Sequence, residues 1–407
     1  MSEKKNVPKL RFPEFTEPWE QRKLGDMGST FNGLSGKTKD DFGHGKAKFI
    51  TYMNVFSNPI ADLTMTESIE IDKKQKSVKA GDVFFTTSSE TPDEVGMSSV
   101  MPEDVDNIYL NSFCFGYRPT EKFDLNYLAY VLRADSFRKE MTFLAQGISR
   151  YNISKNKVME VCIPVPTIEE QTKVGRYFRN LDNLITLHQR KLDHVKDLKK
   201  SMLQKMFPKN GRLYPEVRFP EFTDAWEQRK LCEFTDSYSG GTPVAGKKEY
   251  YDGDIPFIRS GEISSDETEL FITNKGLNNS SAKMVKKGDI LYALYGATSG
   301  EVSISKLKGA INQAILAIQP HLNYDSQFLM QWLRKSKENI INTYLQGGQG
   351  NLSGNIVKEL LVDLPTYEEQ QKIGAYFSNL DDLITLHQRE LDHLKLLKKG
   401  MLQQMFV

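Results

Sequence analysis

The chain has 407 residues and a mass of 46.5 kDa, a length that predicts two or three domains. Hydrophobic residues make up 39% of the sequence and charged residues 26%, which is typical of a globular protein with sizeable cores. The 54 basic and 53 acidic residues almost cancel. The bulk charge therefore indicates neither nucleic acid nor a membrane as partner, and any basic surface has to be local.

The cysteines and the N-terminal segment exclude further classes. Cys114, Cys162 and Cys232 lie far apart with no CxxC pair, which argues against a disulfide framework and against a cysteine-type zinc site. The first residues, MSEKKNVPKL, contain no apolar core of a signal peptide, and no run of about 18 apolar residues occurs. We therefore expect a cytoplasmic protein without a membrane segment.

The first predicted element is a connector over residues 1–21. Its motif RFPEFTEPWEQRKL begins at Arg11 and returns as RFPEFTDAWEQRKL from Arg218, 207 residues later. Only two of the 14 positions differ. The tryptophans of the two copies, Trp19 and Trp226, are expected to be packing anchors rather than stacking platforms.

Each connector leads into a diverged insert, residues 22–165 and, after the second connector at 208–228, residues 229–364. Segments 79–85 and 286–292 align, and both place a Gly-Asp turn before an apolar, β-prone strand. Between such landmarks the residues differ widely. A shared scaffold with changed loops is typical of recognition modules that have different targets.

Each insert is followed by a long predicted helix, residues 166–207 and 365–407. Segment 166–207 matches 365–406 with 11 differences in 42 positions. Both copies open with a T-x-x-E capping box, at Thr167 and Thr366. Apolar residues then follow a 4-3 spacing for more than four heptads, which predicts a coiled coil. At 1.5 Å per residue each helix is about 60 Å long.

The order of the pieces predicts how the two helices pair. The second helix has no connector after it, and the missing piece stands at the N-terminus, so the sequence reads as a ring of two equal halves. This arrangement predicts an α+β fold in which two domains with mixed sheets alternate with two long helices. The helices form an antiparallel coiled coil, the termini lie close together, and the circular arrangement has pseudo-two-fold symmetry. His188 and His387 in the helix seam are expected to form a polar register-setting layer rather than a ligand site.

A second apolar stripe on the helices predicts a docking surface. A two-stranded coil does not need it, and because both helices carry it, a partner protein should bind twice. Its residues are Leu184, Leu187, Leu198, Leu383, Leu386 and Leu397.

The sequence contains no recognisable catalytic motif. The segment 33–38, GLSGKT, looks like a P-loop, but the first glycine of that motif would fall at Phe31. HExxH, GxSxG and paired Cys/His clusters are absent from the sequence. We therefore predict no catalytic residue and no metal site in this chain.

The repeats resemble those of one known family. The ring-like order of the halves, the helices that open PTxEEQ and run through LDxLITLHQR, and the connector RFPEFTxxWEQRKL are similar to the specificity (S) subunits of type I restriction–modification systems. The resemblance covers essentially the whole chain. It implies that each insert is a target-recognition domain that reads one half of a bipartite, asymmetric DNA site, and that the helices set the distance between the halves.

The resemblance also implies partners and cofactors. The partners are double-stranded DNA, two methyltransferase (M) subunits and, in systems that have them, two restriction (R) subunits. S-adenosylmethionine belongs to the M subunits, which methylate adenine N6, and ATP and Mg belong to the R subunits. This chain itself is expected to bind no cofactor and to have no activity, in the cytoplasm of a bacterium or an archaeon.

Candidate DNA contacts lie on the loops beside the Gly-Asp strands and at the insert tips. Arginine suits guanine, asparagine and glutamine suit adenine, and glutamate accepts from cytosine N4. In the first insert the candidates are Tyr52, Asn54, Thr87, Ser88, Ser89, Glu90, Thr91, Arg150, Tyr151 and Asn152. In the second insert they are Arg259, Ser260, Glu262, Tyr295, Thr298, Gln349 and Asn351. Candidate phosphate contacts are Lys37, Lys39, Lys46, Lys48, Lys247 and Lys248. Ordinary solvated turns are the competing interpretation for all of these residues.

Two other functions stay open from the sequence. The chain could be a stand-alone bipartite DNA-binding regulator, or a coiled-coil adaptor whose inserts bind proteins. Docking of a methyltransferase onto the helices separates the specificity subunit from both alternatives. Sequence-specific DNA binding by the purified chain separates the two alternatives from each other.

Overall fold

The computed structural model describes residues 6–209, 211–345 and 351–407. The chain divides into two compact units. Unit 1 comprises Met1–Gln189 and Arg389–Val407, and unit 2 comprises Arg190–Gln388. Each unit therefore contains one insert, the first part of one long helix and the last part of the other.

Unit 1 contains two sheets, two short strand pairs and a group of helices. The strands are β1 (Glu20–Lys23), β2 (Gly28–Asn32), β3 (Phe42–Ile50), β4 (Thr66–Ile69), β5 (Val83–Thr86), β6 (Ser88–Ser89), β7 (Ser98–Val100), β8 (Ile108–Leu110), β9 (Cys114–Pro119), β10 (Tyr151–Asn152) and β11 (Cys162–Val165). The helices are α1 (Tyr52–Ser57), α2 (Leu125–Val131), α3 (Asp135–Leu144), α4 (Lys155–Met159) and the start of α5 (Ile168–Lys205).

The two sheets of unit 1 differ in topology. One is antiparallel with the order β2-β9-β5-β7, and the other is mixed with the order β4-β3-β8, in which β3 and β8 run parallel. The pairs β1-β11 and β6-β10 are antiparallel. Pairing of β1 with β11 closes the insert, because it joins the strand after the connector to the strand before α5.

Unit 2 repeats this scaffold with local changes. Its strands are β12 (Glu227–Lys230), β13 (Thr235–Ser239), β14 (Tyr251–Ile258), β15 (Phe271–Ile272), β16 (Lys283–Val285), β17 (Ile290–Ala293), β18 (Val302–Ile304), β19 (Gly309–Ile311), β20 (Ile315–Pro320) and β21 (Leu361–Leu364). Its helices are α6 (Asn274–Asn278), α7 (Ser326–Tyr344), α8 (Gly354–Lys358) and the start of α9 (Tyr367–Gln404).

The four-stranded antiparallel sheet of unit 2 has the same strand arrangement as that of unit 1, and its mixed sheet contains one strand more. The orders are β13-β20-β17-β18 and β15-β14-β19-β16, and β12 pairs with β21. One continuous helix, α7, stands where unit 1 has α2 and α3, and β16 adds a fourth strand to the mixed sheet. The prediction of an α+β fold built from two mixed-sheet domains and two long helices is confirmed.

The predicted Gly-Asp turns lead into the central strands of both units. Gly81 and Gly288 have φ angles of 82° and 95°, a backbone region that glycine enters without steric cost. The carboxylate of the following aspartate accepts a hydrogen bond from the backbone N–H three residues before it, at 2.8 Å for Asp82 and 2.9 Å for Asp289. The turn therefore fixes where β5 and β17 begin.

Aromatic residues from both long helices and the segments just after them complete the core of each unit. In unit 1, Phe178 of α5 stacks on Phe406 with ring centroids 5.5 Å apart, and both side chains are buried. In unit 2, the rings of Phe207 and Phe377 stack at 6.0 Å. The apolar face of each helix is thus used to complete a domain core, where burial stabilises it most.

The helices pair antiparallel inside each unit. In unit 1, Asp182 of α5 forms an ion pair with Lys398 of α9, and His188 Nδ1 lies 2.9 Å from a carboxylate oxygen of Glu390. In unit 2, Lys199 of α5 pairs with Asp381 of α9. Residue numbers rise along one helix as they fall along the other, so the predicted antiparallel pairing is confirmed.

The connector is fastened to both long helices of its unit. In unit 1, Leu10 N–H donates to the Gln404 carbonyl at 3.0 Å, and in unit 2 Val217 N–H donates to the Lys205 carbonyl at 2.9 Å. The two bonds occupy equivalent positions of the duplication. The N-terminal segment therefore takes the place after α9 that the second connector takes after α5, as the ring-like order predicts.

The predicted capping boxes are only half formed. Thr167 Oγ1 accepts from the Glu170 N–H at 3.4 Å, but the Glu170 carboxylate points away from the helix start. It accepts two hydrogen bonds from Arg11, at 2.7 and 2.8 Å, and one from the Trp19 indole at 3.0 Å. Charge-assisted bonds are stronger than the cap bond that they replace. Trp19 is buried, as expected of a packing anchor.

No helix among the described residues combines the length and the hydropathy of a membrane span.

Candidate nucleic-acid interface

Three of the predicted contact segments of unit 1 meet at one cleft of about 750 Å³, called here the unit 1 cleft. They come from α1, from the loop after β5 and from the tip before β10. The lining residues are Tyr52, Met53, Phe56, Ser88, Ser89, Glu90, Thr91, Glu94, Ser149 and Arg150.

The first wall of the cleft is α1, which the end of β3 positions. Thr51 caps the helix, because its side chain accepts from the Asn54 N–H. The Tyr52 hydroxyl donates to the Ser88 carbonyl at 2.8 Å, and its ring stacks on Phe56 with centroids 6.1 Å apart. Burial raises the pKa of Tyr52, so its hydroxyl stays a donor. This bond ties the first wall to the second.

Asn54 lies on the same helix but does not face the cleft. Its side chain is fully buried; its amide donates to the carbonyls of Asp62 and Met65, and its oxygen accepts from the Asp62 N–H. These bonds order the loop after α1. Asn54 therefore does not contact a base in this arrangement, because its side chain is buried and its amide group is already engaged in hydrogen bonds.

The second wall is the pair of short strands β6 and β10. Ser88 lies opposite Asn152 and Ser89 opposite Tyr151. Asn152 is exposed and Tyr151 half-buried. Thr87 lies just before this pair and donates its hydroxyl to the Phe113 carbonyl at 2.8 Å. Thr87 therefore anchors the loop.

Charged groups of both signs lie at the mouth of the cleft. Arg150 Nε and Nη2 donate to Ser88 Oγ at 3.2 and 3.1 Å. Ser89 Oγ donates to a Glu94 carboxylate oxygen at 3.1 Å. Glu90 and Thr91 are exposed. The cleft thus presents the guanidinium of Arg150 beside the carboxylates of Glu90 and Glu94.

Two half-buried arginines, which the sequence did not single out, hold the cleft walls. Arg133 donates to carbonyls in the last turn of α1 and to the Ser98 carbonyl at 2.7 Å. Arg138 donates to three carbonyls of the turn 93–96 at 2.6 to 2.8 Å. Burial lowers the pKa of Arg133 to about 9 and that of Arg138 to about 10, so both remain charged at neutral pH.

Unit 2 places a closed ion-pair cluster at the position of α1. Arg259 follows β14 and donates to the Glu262 carboxylate at 3.1 and 2.6 Å and to the Glu269 carboxylate at 2.8 Å. The Arg259 guanidinium lowers the pKa of Glu262 to about 2. Ser260 is half-buried in the turn between them. The turn Ser260–Glu262 contacts β17, the strand that leads to Tyr295.

Tyr295 and Asn351 repeat the pairing of Ser88 with Asn152. They form an isolated antiparallel bridge. Tyr295 is the equivalent of Ser88 at the offset of 207, and Asn351 is the equivalent of Asn152 at the offset of 199. Thr298 Oγ1 donates to the Tyr295 carbonyl at 3.2 Å. Tyr295 and Asn351 are exposed. The predicted contact Gln349 lies outside the described residues.

The candidate phosphate contacts fall into two groups. Lys37 is engaged by Asp72 at 2.8 Å and is mostly buried, and this pair helps to lower the pKa of Asp72 to about 2. Lys247 lies over the Tyr250 ring at 5.2 Å. The remaining four are exposed and extend into solvent: Lys39, Lys46, Lys48 and Lys248.

The leucines of the predicted docking stripe also fall into two groups. Leu184 and Leu187 are 43% and 46% exposed, and Leu383 and Leu386 are 42% and 50% exposed. The other two, Leu198 and Leu397, are half-buried against the cores of unit 2 and unit 1. Leu396, which the sequence did not single out, is 69% exposed.

The structure defines a class of protein: two α+β units with a common scaffold, different residues at equivalent loop positions, and long helices shared between the units. A family model described as the type I restriction modification DNA specificity domain matches residues 16–197 and 223–396. The chain belongs to this family. The resemblance to specificity subunits of type I restriction–modification systems is therefore confirmed.

Individual relatives are similar over all or part of the chain. The MjaX specificity subunit, assigned to a type I restriction enzyme of Methanocaldococcus jannaschii, is 25% identical and covers 97% of this chain and 94% of its own. The EcoR124I/EcoR124II specificity subunit of Escherichia coli is 26% identical over 39% of this chain and 41% of its own.

Solved structures share the fold. The crystal structure of the type I restriction–modification S subunit from M. genitalium matches with a TM-score of 0.66 and 15% identity, over 98% of this chain and 99% of that chain.

Proposed function

We propose that this chain is the DNA-specificity subunit of a type I restriction–modification complex. Each unit reads one half of a bipartite, asymmetric DNA target. The observation that carries the proposal is the equivalence of Ser88–Asn152 with Tyr295–Asn351: the same backbone pairing has an asparagine on one side in both units, but Ser88 on the other side in unit 1 and Tyr295 in unit 2. Two readers with one scaffold and different side chains specify two different half-sites.

The target-recognition domains in this proposal are residues 22–165 and 229–364. Segments 1–21 and 208–228 connect them to the helices, residues 166–207 and 365–407. Phosphate contacts position each domain and side chains at the clefts read base edges. The exposed lysines Lys39, Lys46, Lys48 and Lys248 are the proposed phosphate contacts.

The chain is proposed to act without chemistry of its own. Methylation of adenine N6 belongs to two M subunits that carry S-adenosylmethionine, and ATP and Mg belong to R subunits where the system has them. The host is a bacterium or an archaeon, and the complex acts in the cytoplasm. The duplication supports two copies of M, because both helices offer the same apolar residues.

The proposed M-docking residues are the exposed leucines of the helices, Leu184, Leu187, Leu383 and Leu386. Solvent-exposed leucines repeated at equivalent positions favour a partner that covers them twice. Leu198 and Leu397 offer less surface, because they already pack against the cores.

Co-purification with the M subunit tests this proposal against the regulator and the adaptor. The full chain should bring down two M subunits, as counted by native mass spectrometry. Changing Leu184 and Leu187 to Glu should remove one M subunit, and changing Leu383 and Leu386 as well should remove both.

The control is Leu322→Glu, because Leu322 is a 92% exposed leucine outside the helices. It should retain both M subunits. Full binding of M by the four-leucine variant, with circular dichroism unchanged, would contradict the proposed docking surface. A wild-type chain that binds no M would contradict the function itself.

A further inference from the structure

We propose that unit 1 recognises a G·C base pair in its half-site, with Arg150 reading the guanine and Glu90 accepting from the paired cytosine. This inference rests on the proposed function, because it names the base that one of the two readers selects. It follows from how the Arg150 guanidinium is held and from the charges that surround it.

Hydrogen bonds hold the Arg150 guanidinium in place, but no carboxylate among the described residues pairs with its charge. Ser88 is buried, with 5% of its surface exposed, and its Oγ accepts hydrogen bonds from Nε and Nη2 of Arg150. These two bonds set the plane of the guanidinium. The Nη1 and Nη2 ends still point donors away from Ser88, and two parallel donors match guanine O6 and N7. Among the residues that the structure describes, no carboxylate forms an ion pair with Arg150.

The neighbours of Arg150 argue for a base edge and against a phosphate. Glu90 and Glu94 line the same cleft, and two carboxylates would repel a phosphate that approached Arg150. A G·C pair presents acceptors on guanine and an amino donor on cytosine N4 in the same groove. A cleft that carries both a cationic donor and carboxylate acceptors is complementary to this pair.

Arg259 of unit 2 shows the contrasting arrangement. Its guanidinium is engaged by the carboxylates of Glu262 and Glu269. An arginine with two carboxylate partners would have to break these bonds before it could bind guanine. The two units therefore differ in the chemistry that they offer at these positions.

Two variants of the full chain, each co-expressed with the M subunit, test the inference. Arg150→Lys keeps the charge and loses the planar fork. We expect it to lose about 10- to 100-fold of the discrimination at one guanine of one half-site, with the other half-site and the gap unchanged. Arg150→Ala should lose the same discrimination. The control is Arg176→Lys, an exposed arginine of α5, which should leave the motif unchanged.

Binding of the assembled complex to the motif duplex at several salt concentrations gives a second readout. If Arg150 reads a base, Arg150→Lys leaves the slope of log K against log salt unchanged and relaxes one position. If Arg150 contacts a phosphate, Arg150→Lys keeps the motif, and Arg150→Ala weakens all sequences equally and lowers the slope by about one. The second pattern overturns the inference.

Glu90→Gln tests the acceptor. It should weaken selection of the G·C pair, because a neutral amide is a poorer acceptor for cytosine N4 than a carboxylate. A split motif that contains no guanine affected by Arg150→Lys overturns this inference while the proposed function stands. A wild-type complex that methylates no split motif contradicts the proposed function itself.

Discussion

Glu170 and Glu369 occupy equivalent positions in the duplication, but their carboxylates accept different numbers of hydrogen bonds. Glu170 holds Arg11 and the Trp19 indole, whereas Glu369 holds Arg218 alone, at 2.8 and 2.7 Å. Among the described residues, none accepts from the buried Trp226 indole. These carboxylates join each connector to the first turn of a long helix, so their loss should loosen that joint.

Replacing these glutamates with alanine should have unequal effects. Glu170→Ala should cost about 3–5 kcal/mol, because it leaves the half-buried Arg11 guanidinium without its carboxylate partner. Glu369→Ala should cost about 1 kcal/mol less, because no indole bond is lost. Hydrogen exchange at the first turns of α5 and α9, read by mass spectrometry, measures both. Equal losses would contradict the assignment of the Trp19 bond.

The Arg259–Glu262 pair predicts a pH dependence in unit 2. The pKa of Glu262 is lowered from 4.5 to about 2, first of all by hydrogen bonds from Arg259. A lowered carboxylate pKa means that its stabilisation is present above pH 4.5 and is lost as pH falls from about 4.5 to about 2. The turn 259–269 should therefore open in that window.

Titration of ¹³C-labelled glutamate checks this prediction. Glu262 should titrate near pH 2 in the wild type, and Arg259→Met should move its midpoint upwards towards 4.5. A Glu262 midpoint near 4.5 in the wild-type chain would show that the ion pair does not form in solution.

At the scale of single residues the sequence located the cleft but not the role of each side chain. The three segments of unit 1 converge as a recognition surface requires, yet Asn54 caps a loop from inside the domain. Burial within a one-and-a-half-turn helix depends on the chain that covers it, which the local sequence does not encode. Arg133 and Arg138 went unnoticed because binding to backbone carbonyls leaves no sequence motif.

At the scale of elements the long helices were the most predictable part. Their heptad seam and capping residues predict a helix over residues 166–207, and the structure has it at Ile168–Lys205. Lys199 and Lys398 stand at positions of the heptad seam where an apolar residue is expected. They pair across the coil with Asp381 and Asp182, which are off the seam, so the heptad pattern alone could not assign the partners.

The helices should act as a ruler between the two half-sites. Inserting seven residues at the same level of both helices adds about 10 Å, or about three base pairs at 3.4 Å each. The methylated motif should keep its two halves and gain that spacer. Insertion into one helix only is the control, and it should abolish methylation because the antiparallel seam loses its register. An unchanged gap in the doubly lengthened chain would contradict the ruler.

At the scale of the whole molecule, duplication makes the two units exchangeable in principle. Both inserts are closed by the same strand pair, β1-β11 and β12-β21, and both are fastened by the same connector bonds. A chain that carries residues 22–165 in place of 229–364 should therefore fold and should methylate a palindromic split motif. Methylation sequencing reads the outcome, and an asymmetric motif from this chain would contradict the assignment of one reader to each unit.

The circular order of the halves was readable from the repeats, whereas the differences between the units were not. Splitting of one helix into α2 and α3 and the addition of β16 occur in the diverged parts, where no second copy guides the prediction. The bases read are beyond the sequence for the same reason, because loop residues acquire their direction only from the fold.

One measurement tests the central claim most directly: an adenine-methylation map of a host without adenine methylation that expresses this chain and its M subunit. Single-molecule sequencing of the genome should show one split motif, with one methylated adenine in each half and a fixed gap between two different halves. Absence of methylation would contradict the account, provided that both proteins are soluble and that the M subunit is active with another specificity subunit. A continuous or palindromic motif would contradict the claim that two different units read two different half-sites.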